Sequence, residues 1–309
     1  MRYIAVTIDT EVNRSQNWAI SNPVSFSSVT EGIPNFLAPL FAKFDARPTY
    51  LVSPEVLEDA EACAVLREQA SQAELGTHLH AQFIDPEREL FPEAMAGRRA
   101  DGLQTQLTEE VERRKLQNLT DLFLECFGFR PRSFRAGRFA LGSRTLEFLS
   151  GLRYRVDSSV TPGLRWTYRE GVVDYRTARR EPHRVGTPRG DILEVPISVW
   201  AGSWLAAFIQ KLPSSIQRSI TLVLGSGVRF AWLRPSWMSG RELTRLVTDQ
   251  RDRLLVMMFH SMEVIPGASP YAASIQDVRR LLNGLEFFLE HCVSNGFAFC
   301  GLADLTSHA

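Results

Sequence analysis

Short apolar runs alternate along the chain with stretches in which apolar residues recur at helical spacing. Residues 3–8 read as a buried strand, and a Ser- and Asn-rich loop follows to about residue 30. Ile33, Phe36, Leu37, Leu40, Phe41 and Phe44 then fall on one helical face. A second strand is predicted at 48–52, and Ser53-Pro54 opens a helix expected to run to about Gln72. Strands follow at 74–80, 133–136, 154–158, 192–198, 254–260 and 297–302. Helices are predicted near 107–127, ended by Gly128 and Pro131, at 143–152, and from a Ser274–Asp277 capping box to about Ser294. Residues 161–190 are rich in Arg, Gly and Pro and predict a surface excursion or hairpin. Strands alternating with helices argue for parallel β/α units, either a barrel or a doubly wound sheet, and the strand number favours a barrel.

Residues 200–237 fit no β/α unit. They hold Trp200, Trp204, Phe208, Phe230 and Trp232 with scattered basic residues. They predict either a buried helical insertion (or subunit interface), or an amphipathic surface resting on a membrane.

Composition narrows the function classes. With 309 residues, 44% hydrophobic and 23% charged, the chain is globular. Thirty-five basic residues balance thirty-five acidic ones, so no net field draws it to nucleic acid. All but three of the basic residues are arginine, from genomic bias or for binding anionic sugar or phosphate. Cys63, Cys126, Cys292 and Cys300 form no C-x-x-C pair, which predicts buried thiols in a reducing compartment. Acidic residues interrupt the N-terminus before a leader's apolar segment can form, and no long apolar run occurs, so a cytoplasmic location is expected.

Chemistry gathers at predicted strand ends. Asp9 and Glu11 project to one face of their strand, and His78 and His80 to one face of theirs. If those strands are neighbours, two carboxylates and two imidazoles surround a small volume suited to Zn²⁺ or Co²⁺ with an open coordination position. The alternative is that the acids cap a turn and the histidines are satisfied polar residues. His260 ends a third strand.

The order of motifs resembles the polysaccharide deacetylase (NodB homology, carbohydrate esterase family 4) superfamily. Thr7-Ile8-Asp9-Thr10-Glu11, Pro48–Val52, Glu74–His80, Phe134-Arg135-Ala136-Gly137-Arg138, Asp157-Ser158-Ser159, Leu193–Pro196 and Met258–Glu263 occur in that family's order. The D-T-E, H-L-H and F-H-S-M-E segments are similar to a branch found with lipopolysaccharide and O-antigen biosynthesis. The resemblance implies a distorted (β/α)₇ barrel over residues 1–309, with 200–237 inserted, and metal-dependent N-deacylation of an amino sugar. It implies Asp9 as general base, Arg135 as the residue orienting it, and His260 as the acid that protonates the leaving amine. Glu11, His78 and His80 are the implied ligands of a divalent ion, zinc or cobalt, with Gln82 a substitute. Thr10 and Gln82 stand where better-studied members carry an acid and a histidine. A second reading is therefore an inactive member that binds a glycan or protein partner, and a third is hydrolysis of a small non-sugar amide. The implied substrate is an N-acylated amino sugar, nucleotide- or lipid-linked, in a surface-polysaccharide precursor, with contact at the inner face of the membrane.

Overall fold

The computed structural model describes residues 2–99, 102–200, 231–249 and 253–307. Its centre is a nine-stranded sheet: β1 (Arg2–Thr10), β2 (Thr49–Val52), β3 (Glu74–Leu79), β4 (Ser133–Ala136), β5 (Val156–Asp157), β8 (His183–Val185), β9 (Ile192–Glu194), β12 (Leu254–His260) and β13 (Phe297–Phe299). The order β12-β1-β2-β3-β4-β5-β9 is parallel throughout, β8 adds antiparallel to β9, and β13 pairs with the start of β1. The sheet curls into a half-barrel. The segment after β9 reaches β12 on the far side, where Ser198 N donates to Val256 O at 3.1 Å and Ser198 Oγ accepts from Val256 N at 2.8 Å; Met258 N also donates to Leu233 O at 3.2 Å.

The strands are apolar on both faces because helices cover the outside while a second core fills the inside. Outside, Ile4, Val6 and Ile8 of β1 pack with Val29, Ile33 and Phe41. Inside, Ala5, Leu51, Val156, Leu193 and Val256 form a smaller cluster. This alternation decides which residues reach the cavity.

Helices lie where the 3.6-residue spacing placed them, with differences at their ends. The stretch from Ser28 begins as a π-helix, Ser28–Leu37, and continues as α1 (Ala38–Lys43). The helix expected over residues 53–72 is two, α2 (Pro54–Leu57) and α3 (Ala60–Gln69), because Asp59 leaves helical geometry and its Oδ1 accepts from Ala62 N at 2.8 Å. α4 (Glu109–Phe127) ends at Gly128, whose φ of 77° is the left-handed cap expected there. α5 (Thr145–Gly151) and α7 (Ile275–Ser294) match their predictions, and the Ser274–Asp277 box is formed. An unforeseen helix, α6 (Gly240–Asp249), packs on α7, where Gly240 and Gly284 approach so closely that an added Cβ on Gly240 would lie 2.7 Å from Gly284 O.

The Arg/Gly-rich excursion contains a hairpin, β6 (Arg165–Thr167) with β7 (Val172–Asp174). Of the Trp-rich segment, residues 201–230, which include Trp204 and Phe208, lie outside the described residues. Its flanks form the antiparallel pair β10 (Val199–Trp200) and β11 (Ala231–Trp232). Trp232 is in the inner core, its ring tilted against those of Phe139 and Trp166 and edge-on to that of Trp237. Among the described residues no helix is long and apolar enough to cross a membrane.

Candidate metal and catalytic site

Strand ends on one rim of the sheet carry the polar residues. β1 and β3 are not neighbours, contrary to the condition set from sequence: β2 lies between them. The curl of the sheet brings their ends together instead, and Asp9 stands in register with His260 on β12 while His78 stands in register with Arg135 on β4.

Glu11 is the hub. Its Oε1 lies 3.3 Å from His78 Nε2 and 3.2 Å from His80 Nε2, and 3.9 Å from His260 Nε2, while Oε2 accepts from Arg14 Nη2 at 3.1 Å. One donor atom each from Glu11, His78 and His80 falls within 4.8 Å of the others. Burial alone would raise the Glu11 carboxyl, but His80, His78 and Arg14 hold it well below the carboxylate range. Burial pushes the His80 imidazole down to about 4, against the pull of Glu11, so the ring is neutral at pH 7.

A divalent ion fits these residues. His80 Nε2 is buried without a well-aligned hydrogen bond, an unused donor atom aimed at the other two. His78 Nδ1 donates to Arg135 O at 3.0 Å, which orients the ring with Nε2 towards Glu11. Gln82 sits on the opposite edge of the His80 ring, Nε2 3.3 Å from Nδ1.

Asp9 is held by Arg135. Nη1 donates to Asp9 Oδ1 at 2.6 Å, Nη2 to Thr7 Oγ1 at 2.8 Å and Ser158 Oγ at 3.1 Å, and Nε to Ser158 O at 2.8 Å. Arg135 is wholly buried, and four of the five N–H donors of its planar fork are used in these bonds. Burial pushes the Asp9 carboxyl up, yet Arg135, with His78 and His260, outweighs it and holds the acid below its usual value. Oδ2, left over from this grip, faces His78 Nε2 at 3.9 Å.

His260 is held from behind by Glu263, whose Oε1 accepts from His260 Nδ1 at 2.8 Å and from Arg234 Nη2 at 2.7 Å. Burial would raise the Glu263 carboxyl, and Arg234 with His260 lowers it to about 2. Neither partner has a role assigned from sequence: Glu263 is only the last residue of the Met258–Glu263 segment, and Arg234 is one of the basic residues scattered through 200–237. The signal was present: Trp232 and Arg234 are two apart, like Asp9 and Glu11, and both line the same cavity.

That cavity, about 560 Å³, opens over Asp9, Glu11, His78, His80 and His260. Trp18, Trp166, Tyr168, Trp232, Trp237 and Tyr271 form much of its wall, and Arg99, Arg138 and Arg169 also line it. Arg138 and Phe139 both have positive φ, 54° and 59°, a conformation that costs a non-glycine residue about 1 kcal/mol or more. Two tyrosines hold their carbonyls in place: Tyr168 Oη donates to Arg138 O at 2.8 Å and Tyr175 Oη to Phe139 O at 2.7 Å. The hairpin thus props the cavity wall.

No family model matches the sequence, and no curated protein matches it either. Solved structures do. A protein from Pseudomonas aeruginosa PAO1 assigned as a polysaccharide deacetylase superposes with a TM-score of 0.55 at 13% identity, over 99% of this chain and 90% of its own. One from Mycobacterium smegmatis with the same assignment gives 0.54 at 14%, over 99% and 89%. Puue allantoinase gives 0.54 at 13%, over 99% and 89%. The curled parallel half-barrel, with its polar residues gathered on one rim, is the NodB-type polysaccharide deacetylase fold.

Proposed function

We propose that the protein is a metal-dependent hydrolase that removes an N-acyl group from an amino sugar. The observation that carries this reading is the buried convergence of Glu11, His78 and His80 beside an Arg-gripped Asp9 and a Glu-backed His260. Glu11, His78 and His80 would hold the ion, zinc or cobalt by the chemistry of one carboxylate and two imidazoles. Bound there, such an ion supplies Lewis-acid polarisation of a carbonyl and a lowered pKa for water.

The residues divide the proton work. Asp9 is ionised and has Oδ2 free, so it is the group that accepts a proton from the attacking water. Arg135 fixes its rotamer and keeps it charged. His260 presents Nε2 to the same space and delivers a proton to the departing nitrogen, while Glu263 holds Nδ1–H. The acyl group leaves as the free acid and the sugar keeps an amine.

The cavity wall supports a sugar. Aromatic faces suit the apolar faces of a pyranose, and this favours a sugar over the small amide that likeness to an allantoinase would otherwise allow. Arg99, Arg138 and Arg169 in the lining suit a phosphate, and so support a nucleotide- or lipid-linked precursor of a surface polysaccharide such as O-antigen.

The test is metal content by elemental analysis on wild type and Glu11→Ala, followed by acyl-release assays on free, nucleotide-linked and lipid-linked N-acetyl amino sugars. About one ion per chain in wild type, lost in the variant, with acid released from a linked sugar, is the expected result. A wild type that takes up no metal on reconstitution overturns the reading in favour of a glycan-binding protein.

A further inference from the structure

Two of the four cysteines, 63 residues apart in sequence, meet between α3 and α4. Cys63 Sγ and Cys126 Sγ are 3.1 Å apart, and both thiols point at one carbonyl, Leu57 O, at 3.2 and 3.0 Å. A disulfide needs about 2.05 Å between sulfurs, so bonding requires a movement of about 1 Å, within reach of side-chain torsions. Cys292 and Cys300 are each buried elsewhere in the core. The sequence showed only four isolated thiols; the pairing is a product of the fold.

The two sulfurs are not equivalent. Cys63 is buried, whereas Cys126 is partly open to solvent at the end of α4. Arg67 places Nε 3.2 Å and Nη2 2.6 Å from Cys126 O, bringing a guanidinium beside this thiol. The hydrogen bond from Cys63 and the charge of Arg67 together lower the Cys126 thiol, while donating that bond and being buried raise Cys63. Cys126 is the accessible, more acidic partner, and Cys63 the shielded one.

We propose that Cys63 and Cys126 are a reversible dithiol–disulfide site that closes in response to a disulfide oxidant such as glutathione disulfide. Cys126 Sγ attacks one sulfur of the oxidant, breaking its S–S bond and releasing one glutathione thiolate. Cys63 Sγ loses its proton to solvent and attacks Cys126 Sγ, and the second glutathione leaves as a thiol. The protein gives up two electrons and two protons, and the oxidant becomes two thiols. The closed loop from 63 to 126 contains β3 with His78, and His80 just after it, so the bond ties down the segment that presents both imidazoles.

The experiment incubates the native protein with glutathione disulfide and follows intact mass, thiol count after denaturation, and peptide maps. The expected result is a mass loss of about 2 Da, a fall from four free thiols to two, and a Cys63–Cys126 cross-linked peptide, all reversed by dithiothreitol. The oxidised form is expected to melt at a higher temperature than the reduced one. Cys63→Ser is expected to stop at a glutathione adduct on Cys126, and Cys126→Ser to remain unmodified. Four thiols retained in wild type, or wild type halting at the mixed disulfide, would overturn the proposal. None of these readouts depends on metal or on acyl release.

Discussion

Arg135 Nη1 donates to Asp9 Oδ1 across 2.6 Å in a wholly buried contact that joins residues 126 apart in sequence. Nε and Nη2 of the guanidinium are spent on Thr7 and Ser158, and only Nη1 reaches Asp9, which has one oxygen engaged and one available. Asp9→Asn therefore removes the proton acceptor while leaving Glu11, His78 and His80 in place. Acyl release is expected to fall by about 10²–10⁴-fold with metal content unchanged. Loss of the metal together with activity would make Asp9 a ligand and refute its role as base.

Glu263 and Arg234 form a buried ion pair that also holds His260. Glu263→Gln leaves the Arg234 charge without its counter-ion, and unfolding measurements should show a loss of about 3 kcal/mol. Activity is expected to fall with it, because Nδ1 of His260 loses its charged acceptor. A double variant with Arg234→Met should recover part of the stability but not the activity. Simple additivity of the two stability losses would count against the pairing.

Gln82 touches the His80 ring away from Glu11, and its Oε1 is buried without a partner. Turning the amide over presents Oε1 to His80 Nδ1–H and leaves the Nε2 lone pair aimed at Glu11 and His78. Gln82→Leu removes that acceptor and should weaken cobalt binding by about tenfold or more, whereas Gln82→Glu should bind at least as well as wild type. Equal affinities in a cobalt titration followed by absorption would mean that Gln82 does not position His80.

Asp157 and Glu194 face each other at the ends of β5 and β9, fully buried. Burial and the neighbouring Asp157 carboxylate raise the Glu194 carboxyl well above its usual value, and Oε2 finds no donor. Burial thus favours the protonated form of Glu194, which stands opposite Asp157 in the strand register. A raised folded pKa gives stability that is complete below the unfolded value, near 4.5, and is lost as pH climbs through the folded value. Glu194→Gln keeps a donor and cannot ionise, so in chemical denaturation wild type should lose up to about 1.4 kcal/mol per pH unit relative to the variant over that interval. Parallel stability–pH curves for the two proteins would rule this out.

The sequence by itself determined the strands at Ser133–Ala136 and Leu254–His260, the Gly128 stop and the Ser274 box, because burial periodicity and capping are local. It also placed Asp9, Glu11, His78, His80, Arg135 and His260 at strand ends, since the two-residue repeat fixes which side chains share a face. Only the tertiary structure decided how these residues meet. β2 separates β1 from β3, so Glu11 reaches both histidines through the curl of the sheet rather than through strand pairing. The same long-range packing set Arg234 against Glu263 and brought Cys126 to Cys63. No local spacing encodes these contacts, because each depends on where separate elements are carried by the closing of the sheet and the helices packed around it.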